Sequence, residues 1–193
     1  MITSKKDYLT YLEEDRKALG IKKPSLKSKF LALIAPNYIY EFQKLLRKKE
    51  YYQNCKKGLV HKLPNLLIRL KFRRISLKLG FSIPVNVFGP GLAIVHYGTI
   101  VVNKNARIGK NCRIHACTNI GASGGSKKAP VIGDNVYIGP GAKIYGDITI
   151  GNNNAIGANA TVFKSFEESG IMIAGNPAKP IKEVDIRRLI KHI

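Results

Sequence analysis

The chain has 193 residues, enough for one well-buried domain with an appendage, and carries a formal net charge of +21. No apolar run approaches the ~20 residues of a membrane span, and no hydrophobic segment follows the first residues as in a secretory signal, so a cytoplasmic protein is expected. Cys55, Cys112 and Cys117 form no CxxC pair, which argues against a disulfide framework or a thiolate metal site.

The charge is uneven: residues 1–80 hold 20 Lys/Arg against 6 Asp/Glu, and residues 81–193 hold 13 against 6. Such a field favours an anionic partner, whether nucleic acid, an acidic membrane face or an acidic substrate. Residues 4–20 read as a helix, with Ser4 as cap and Gly20 as stop. A second helix is expected after Ser25, containing Phe30, Leu31, Leu33 and Ile34, and a third from Tyr38 to Tyr52. The fourth runs from about Pro64 to Gly80, with Ile68, Phe72, Ile75 and Leu79 on one side and Leu63, Leu67 and Leu70 widening that face. Arg69, Lys71, Arg73, Arg74 and Lys78 fill much of the rest. Packing against neighbouring helices is the expected use of the apolar stripe; peripheral association with an anionic membrane face is the other use open to the basic side.

From residue 81 the composition changes. An aliphatic residue returns every sixth position at Val102, Ile108, Ile114 and Ile120, then, after one double step, at Ile132, Ile138, Ile144, Ile150, Ile156 and Val162. Neither the 3.6-residue period of a helix nor the alternation of a flat strand explains a strict six. A hexapeptide period marks a β-solenoid, each short strand forming one side of a coil of about eighteen residues. The double step contains 122–130, a basic, glycine-rich segment read as a loop extruded from the wall. Three parts are expected: a basic α-helical unit over 1–80, the solenoid over 81–182, and a short basic terminal helix over 183–193. The repeats lack exposed aromatics interleaved with basic residues, so nucleic acid is not an expected partner.

Of the four histidines, His96 falls where the solenoid starts. Counting six back from Val102 lands on it, a phase that calls for an aliphatic side chain. A buried imidazole there needs a partner, unless the register slips and turns it to a cleft. An imidazole titrating near neutrality is a natural general base for a hydroxyl. The repeat region holds one other histidine, His115, one residue beyond a core position. Two histidines are too few for the three-histidine zinc site of metal-dependent solenoids, so no metal is expected.

Residues 88–103, FGPGLAIVHYGTIVVN, resemble the serine acetyltransferase family, as do 138–144, IGPGAKI, and the closing 174–179, AGNPAK. The likeness implies a left-handed parallel β-helix (a mainly β fold with an α-helical N-terminal domain) and an acetyl-CoA-dependent acyltransferase. It implies a homotrimer, in some relatives paired into a hexamer, with active sites between neighbouring solenoids. Carried over by position, His96 becomes the general base. Tyr97, Asn103 and His115, the last by its place one residue past a core position, are candidate contacts for the acceptor. Gly121, Ala122, Ala142 and Ala160 are the small residues that let the pantetheine arm of acetyl-CoA lie against the wall. Lys127, Lys128, Lys164 and Lys179 are candidates to meet the nucleotide phosphates.

Two departures bear on the acceptor. Serine-specific relatives place an aspartate at the entry to the first coil, where this chain has Phe81-Ser82-Ile83-Pro84, and no Asp or Glu occurs between Glu50 and Asp134. Orientation of His96 then falls to a backbone carbonyl, a hydroxyl or amide such as Ser82 or Asn103, or a carboxylate from elsewhere. Those relatives also carry a histidine before the proline of the extruded loop, where this chain has Ala129. The reading that follows is an O-acetyltransferase acting on a sugar hydroxyl in surface polysaccharide assembly, so that an acceptor glycan is the expected partner. A serine O-acetyltransferase of cysteine biosynthesis is the alternative. A non-catalytic, polyanion-binding scaffold is the third.

Overall fold

The structure, a computed structural model of the chain, describes residues 1–23, 25, 30 and 34–193. The helix expected after Ser25 lies outside these residues. Helix α1 spans Lys5–Ala18, capped by Ser4, whose hydroxyl accepts from the Asp7 amide. Helix α2 spans Tyr38–Cys55 with Asn37 as its cap, and α3 spans Lys62–Leu79, ending on Gly80 in the left-handed region at φ 74°. Among the described residues no helix is long and apolar enough to cross a membrane.

Fourteen short strands follow. Sheet one stacks β1 (Phe81–Ser82), β3 (Ile100–Val102), β6 (Thr118–Gly121), β9 (Lys143–Tyr145) and β12 (Thr161–Val162). Sheet two stacks β4 (Arg107–Ile108), β7 (Val131–Ile132) and β10 (Thr149–Ile150). Sheet three stacks β2 (Ala93–Ile94), β5 (Arg113–Ile114), β8 (Tyr137–Ile138), β11 (Ala155–Ile156), β13 (Ile171–Gly175) and β14 (Ala178–Glu183). Every pairing is parallel except the closing β13–β14 hairpin. The chain visits the three sheets in turn, which is the three-sided coil that the sixfold period demands. Register partners stack identical side chains: Ile114 on Ile138, Ile138 on Ile156, Ile120 on Ile144. All five are fully buried, forming a continuous apolar column of the kind burial favours at roughly 25 cal/mol per Å².

The corners repeat as regularly as the strands. Asn111, Asn135 and Asn153 all adopt left-handed backbone, with φ of 56–57°, a conformation asparagine tolerates better than most residues. They form a ladder in which the Asn111 amide donates to Asn135 Oδ1 and the Asn135 amide to Asn153 Oδ1, both at 2.8 Å.

The solenoid extends further back than the sequence period suggested. Ile94 pairs with Ile114, and Val102 with Ile120. The first two core residues are thus eight apart, whereas their partners are six apart, so this corner carries two extra residues. His96 is one of the residues in the enlarged corner. It does not occupy an aliphatic phase as the count from Val102 implied; Ile94 does, and His96 is exposed.

The helical region closes the open edge of the first coil. The Gln43 side chain takes the place of a missing strand, donating to Leu92 O at 2.6 Å and accepting from Ile94 N at 3.2 Å. Beside it Arg47 is completely buried and uses all five of its N–H donors. Nε and Nη2 bind Asp15, Nη1 binds Glu50 and Phe88 O, and Nη2 also binds Gly89 O, over 2.7–3.2 Å. Asp15 Oδ1 in turn accepts from the amides of Gly91 and Leu92, each at 2.9 Å, and Glu50 Oε1 from Asn86 at 2.7 Å. The two carboxylates outweigh the cost of burial and hold the guanidinium pKa above its ordinary value.

At the far end, the terminal helix expected over 183–193 is instead the end of β14 and a single 3-10 turn, Ile186–Arg188. Ile186 and Ile190 pack on Ala155 and Tyr137 of sheet three, and His192 Nε2 lies 3.3 Å from Asn111 Oδ1, topping the asparagine ladder.

Candidate active site

His96 and His115 meet where the enlarged corner overhangs the next coil. His115 follows Ile114 by one residue, so alternation turns its ring outward from the wall. Its ring lies 5.8 Å from that of His96, centroid to centroid, and 5.0 Å from Tyr137 on its other side. The backbone of His115 is anchored by donation to Ile138 O at 3.1 Å and by acceptance from the Thr118 hydroxyl at 2.8 Å. Its Nε2 is buried and has no hydrogen-bond partner among the described residues. Burial, then the charges of Arg113 and His96, push the His115 pKa down to about 4, so the ring is neutral at physiological pH.

The His96 ring, by contrast, is exposed and forms no hydrogen bond with any described residue. Neither side chain named for orienting it does so. Asn103 Oδ1 accepts from the Asn105 amide at 2.9 Å within its own turn, and Ser82 borders a different cleft beneath α3. Tyr97 is 60 % exposed next to His96, a free phenol on the rim.

The residues read as contacts for the acyl carrier divide by parity. Ala142 and Ala160 precede Ile144 and Val162 by two, so they share the inward face. Both are fully buried in the core, and their side chains cannot border a groove on the wall. Gly121 follows Ile120 by one and faces outward, and it and Ala122 are partly exposed. Lys164 and Lys179, fifteen residues apart, line one small cleft of 90 Å³ together with Thr161, Phe163 and Pro177. Lys127 is exposed on the extruded loop, whereas Lys128 is bound to Asp147 at 2.5 Å. Ala129, where serine-specific relatives carry histidine, is buried in the core. Among the described residues no group of three His, Cys, Asp or Glu side chains is placed to hold a metal ion.

A parallel three-sided solenoid with an exposed histidine at an enlarged first corner defines a hexapeptide-repeat protein. Residues 129–164 match the family model for bacterial transferase hexapeptide repeats (six repeats). Within that class the chain is similar to serine acetyltransferases. It is 38 % identical over 100 residues to the serine acetyltransferase of Mycobacterium tuberculosis, covering 51 % of this chain and 43 % of that one. It is 32 % identical over 136 residues to the Staphylococcus aureus enzyme of the same name, covering 67 % and 63 %. The crystal structure of Neisseria gonorrhoeae serine acetyltransferase matches with a TM-score of 0.70 at 26 % identity, over 98 % of this chain and 72 % of that one. The chain therefore spans about half the length of the curated relatives it matches.

These relatives overturn the sugar-hydroxyl reading. That reading rested on the acid-free first coil and on Ala129, and neither feature outweighs relatives that are all named for serine. Sequence reasoning also missed Asp15, Gln43, Arg47 and Glu50, which set the position of the first coil. The only signal for them is that acidic residues are sparse and stand on helices α1 and α2.

Proposed function

We propose that the chain is an acetyl-CoA-dependent O-acetyltransferase whose acceptor is the hydroxyl of serine, with His96 as general base. The observation that carries the reading is the 32–39 % identity to serine acetyltransferases over 100–136 residues of this chain. The site's chemistry supports it. The unprotonated nitrogen of His96 takes the proton of the serine hydroxyl as its oxygen attacks the thioester carbonyl. The tetrahedral intermediate collapses with cleavage of the C–S bond, and the protonated ring returns its proton to the departing thiolate. A neutral His115 suits this role, because a second charge 5.8 Å away would oppose protonation of His96.

Acetyl-CoA supplies the activated acyl group, and the residues present suit it. Gly121 and Ala122 leave room for the pantetheine arm on the outer wall, and Lys164 and Lys179, which line one cleft, are the cations offered to the nucleotide phosphates. Residues 81–182 are the catalytic unit, a left-handed coil on this reading, with 1–80 and 183–193 as its covers. The assembly is a homotrimer with each site completed by a neighbouring solenoid, and a pair of trimers gives the hexamer.

The test is release of coenzyme A with L-serine, L-homoserine and a nucleotide sugar as acceptors. Serine is expected to turn over fastest. His96→Ala is expected to lower kcat by about 10²–10⁴-fold with the circular dichroism spectrum unchanged. Faster turnover of either other acceptor rejects serine, and a His96→Ala enzyme at full activity rejects the base.

A further inference from the structure

A second site, sharing no lining residue with the histidine pair, lies where α3 meets the first strand. A cleft of 500 Å³ opens there between α2, α3 and residues 81–84. Three cations converge on it, Lys49 from α2 and Arg69 and Arg73 from successive turns of α3. No carboxylate lines it, and none of the three forms an ion pair among the described residues. Elsewhere the chain matches its buried cation with care, as at Arg47 with Asp15 and Glu50. Lys49 instead sits half-buried over the Phe72 ring, its ammonium 4.2 Å from the centroid. Burial and then repulsion from Arg69 lower its pKa.

Two further observations point to a ligand. Ser76, one turn beyond Arg73, lines the same cleft, and its hydroxyl is buried without a hydrogen-bond partner. The floor is apolar, formed by Phe72 and Phe81, and it runs out past Leu66 and Leu70, which are 50 % and 46 % exposed. Helical spacing explains the combination. Leu66 and Leu70 form one row along α3, and Arg69, Arg73 and Ser76 form the adjacent row, so the groove is charged along one side and greasy along the other.

We propose that this cleft is a binding site for an amphiphilic phosphate, with the head group held by Lys49, Arg69, Arg73 and the Ser76 hydroxyl and an alkyl tail laid along Leu66 and Leu70. Arginine pairs form bidentate bonds to phosphate oxygens, and the buried hydroxyl gains the acceptor it lacks. Two sources share this chemistry, a phospholipid at a membrane surface and a free alkyl phosphate. The site stands independently of the acetyl-transfer reading, since none of its cations belongs to the histidine corner.

The experiment is titration of the full chain by calorimetry with dodecyl phosphate below its micelle concentration, beside dodecyl maltoside and inorganic phosphate. Dodecyl phosphate is expected to bind at least tenfold more tightly than either. The double variant Arg69→Gln/Arg73→Gln is expected to lose at least tenfold in that affinity. Lys71→Gln/Arg74→Gln, with the same charge removed from the same helix outside the cleft, is expected to lose less than threefold. Flotation with phosphatidylglycerol and with phosphatidylcholine vesicles separates the sources. Retention on the anionic vesicles alone, abolished by the first double variant, assigns the head group to a membrane lipid; dodecyl phosphate binding without flotation assigns a free molecule. Equal affinity for dodecyl maltoside, or equal losses in the two double variants, overturns the site.

Discussion

At the scale of single residues the informative pair is His96 and His115, because the two rings sit close together in different surroundings. His115 is held neutral, with its pKa pushed down to about 4 chiefly by burial, from an unfolded value near 6.5. The sign of the linkage follows from proton counting. Between pH 6.5 and 4 the unfolded chain binds a proton at this residue and the folded chain does not, so stability is full above pH 6.5 and declines as pH falls through that window. His115→Gln removes the titration while keeping a polar side chain of similar reach. Thermal unfolding followed from pH 7.5 to pH 4 is expected to show a steeper fall in Tm for the parent chain than for the variant. Parallel curves would remove His115 from the pH response. Its outward direction, one step past Ile114, was legible in the sequence; its neutrality was not, because that follows from burial and then from the charges of Arg113 and His96 in the folded coils.

At the scale of elements, the sixfold period revealed the ten strands from β3 to β12 because each coil repeats one physical requirement, an inward aliphatic side chain between two tight corners. Its failures are equally local. The phase assigned to His96 was wrong because an insertion of two residues at one corner cannot be told from a shift of register when only one side of it is counted. Ala142 and Ala160, carried over by position as acetyl-CoA contacts, turn their side chains inward, as their even spacing from Ile144 and Val162 requires, which leaves their backbone groups for such a contact. The junction between helices and solenoid was not legible at all. Asp15, Arg47 and the 88–92 backbone are separated by 32 to 77 residues, and no periodic pattern links them. That junction gives a sharp prediction. Arg47→Met leaves Asp15 and Glu50 buried without their counter-charge and is expected to cost about 3–5 kcal/mol, the range for breaking a buried pair from one side. Urea unfolding measures it. The triple replacement Asp15→Leu/Arg47→Met/Glu50→Leu is expected to recover part of that loss, because no charge is then buried unpaired. A single variant within 1 kcal/mol of the parent would show that the network contributes little.

At the scale of the whole molecule the dominant property is a charge of +21. Among the described residues one cation, Arg47, is fully buried and neutralised by its surroundings, so most of the field reaches solvent. On the proposed reaction this field discriminates between the two substrates. Acetyl-CoA carries several negative charges on its phosphates, whereas serine is a zwitterion with no net charge near neutrality. Long-range attraction therefore speeds capture of the first and not of the second, and salt screens it over a Debye length of about 8 Å at physiological ionic strength. Raising salt from 20 mM to 500 mM is expected to lower kcat/KM for acetyl-CoA by about tenfold while changing kcat/KM for serine by less than twofold. On the same proposal the lysines of the small cleft, Lys164 and Lys179, add a second, short-range component. Lys164→Gln/Lys179→Gln is expected to raise KM for acetyl-CoA several-fold at every salt concentration, leaving the slope of the salt dependence nearly intact, because two charges in a field of this size alter steering little. If the double variant instead abolishes the salt dependence, capture is governed by that cleft and not by the molecule as a whole. If neither salt nor the variant alters kcat/KM for acetyl-CoA, the basic surface serves a partner other than the acyl donor.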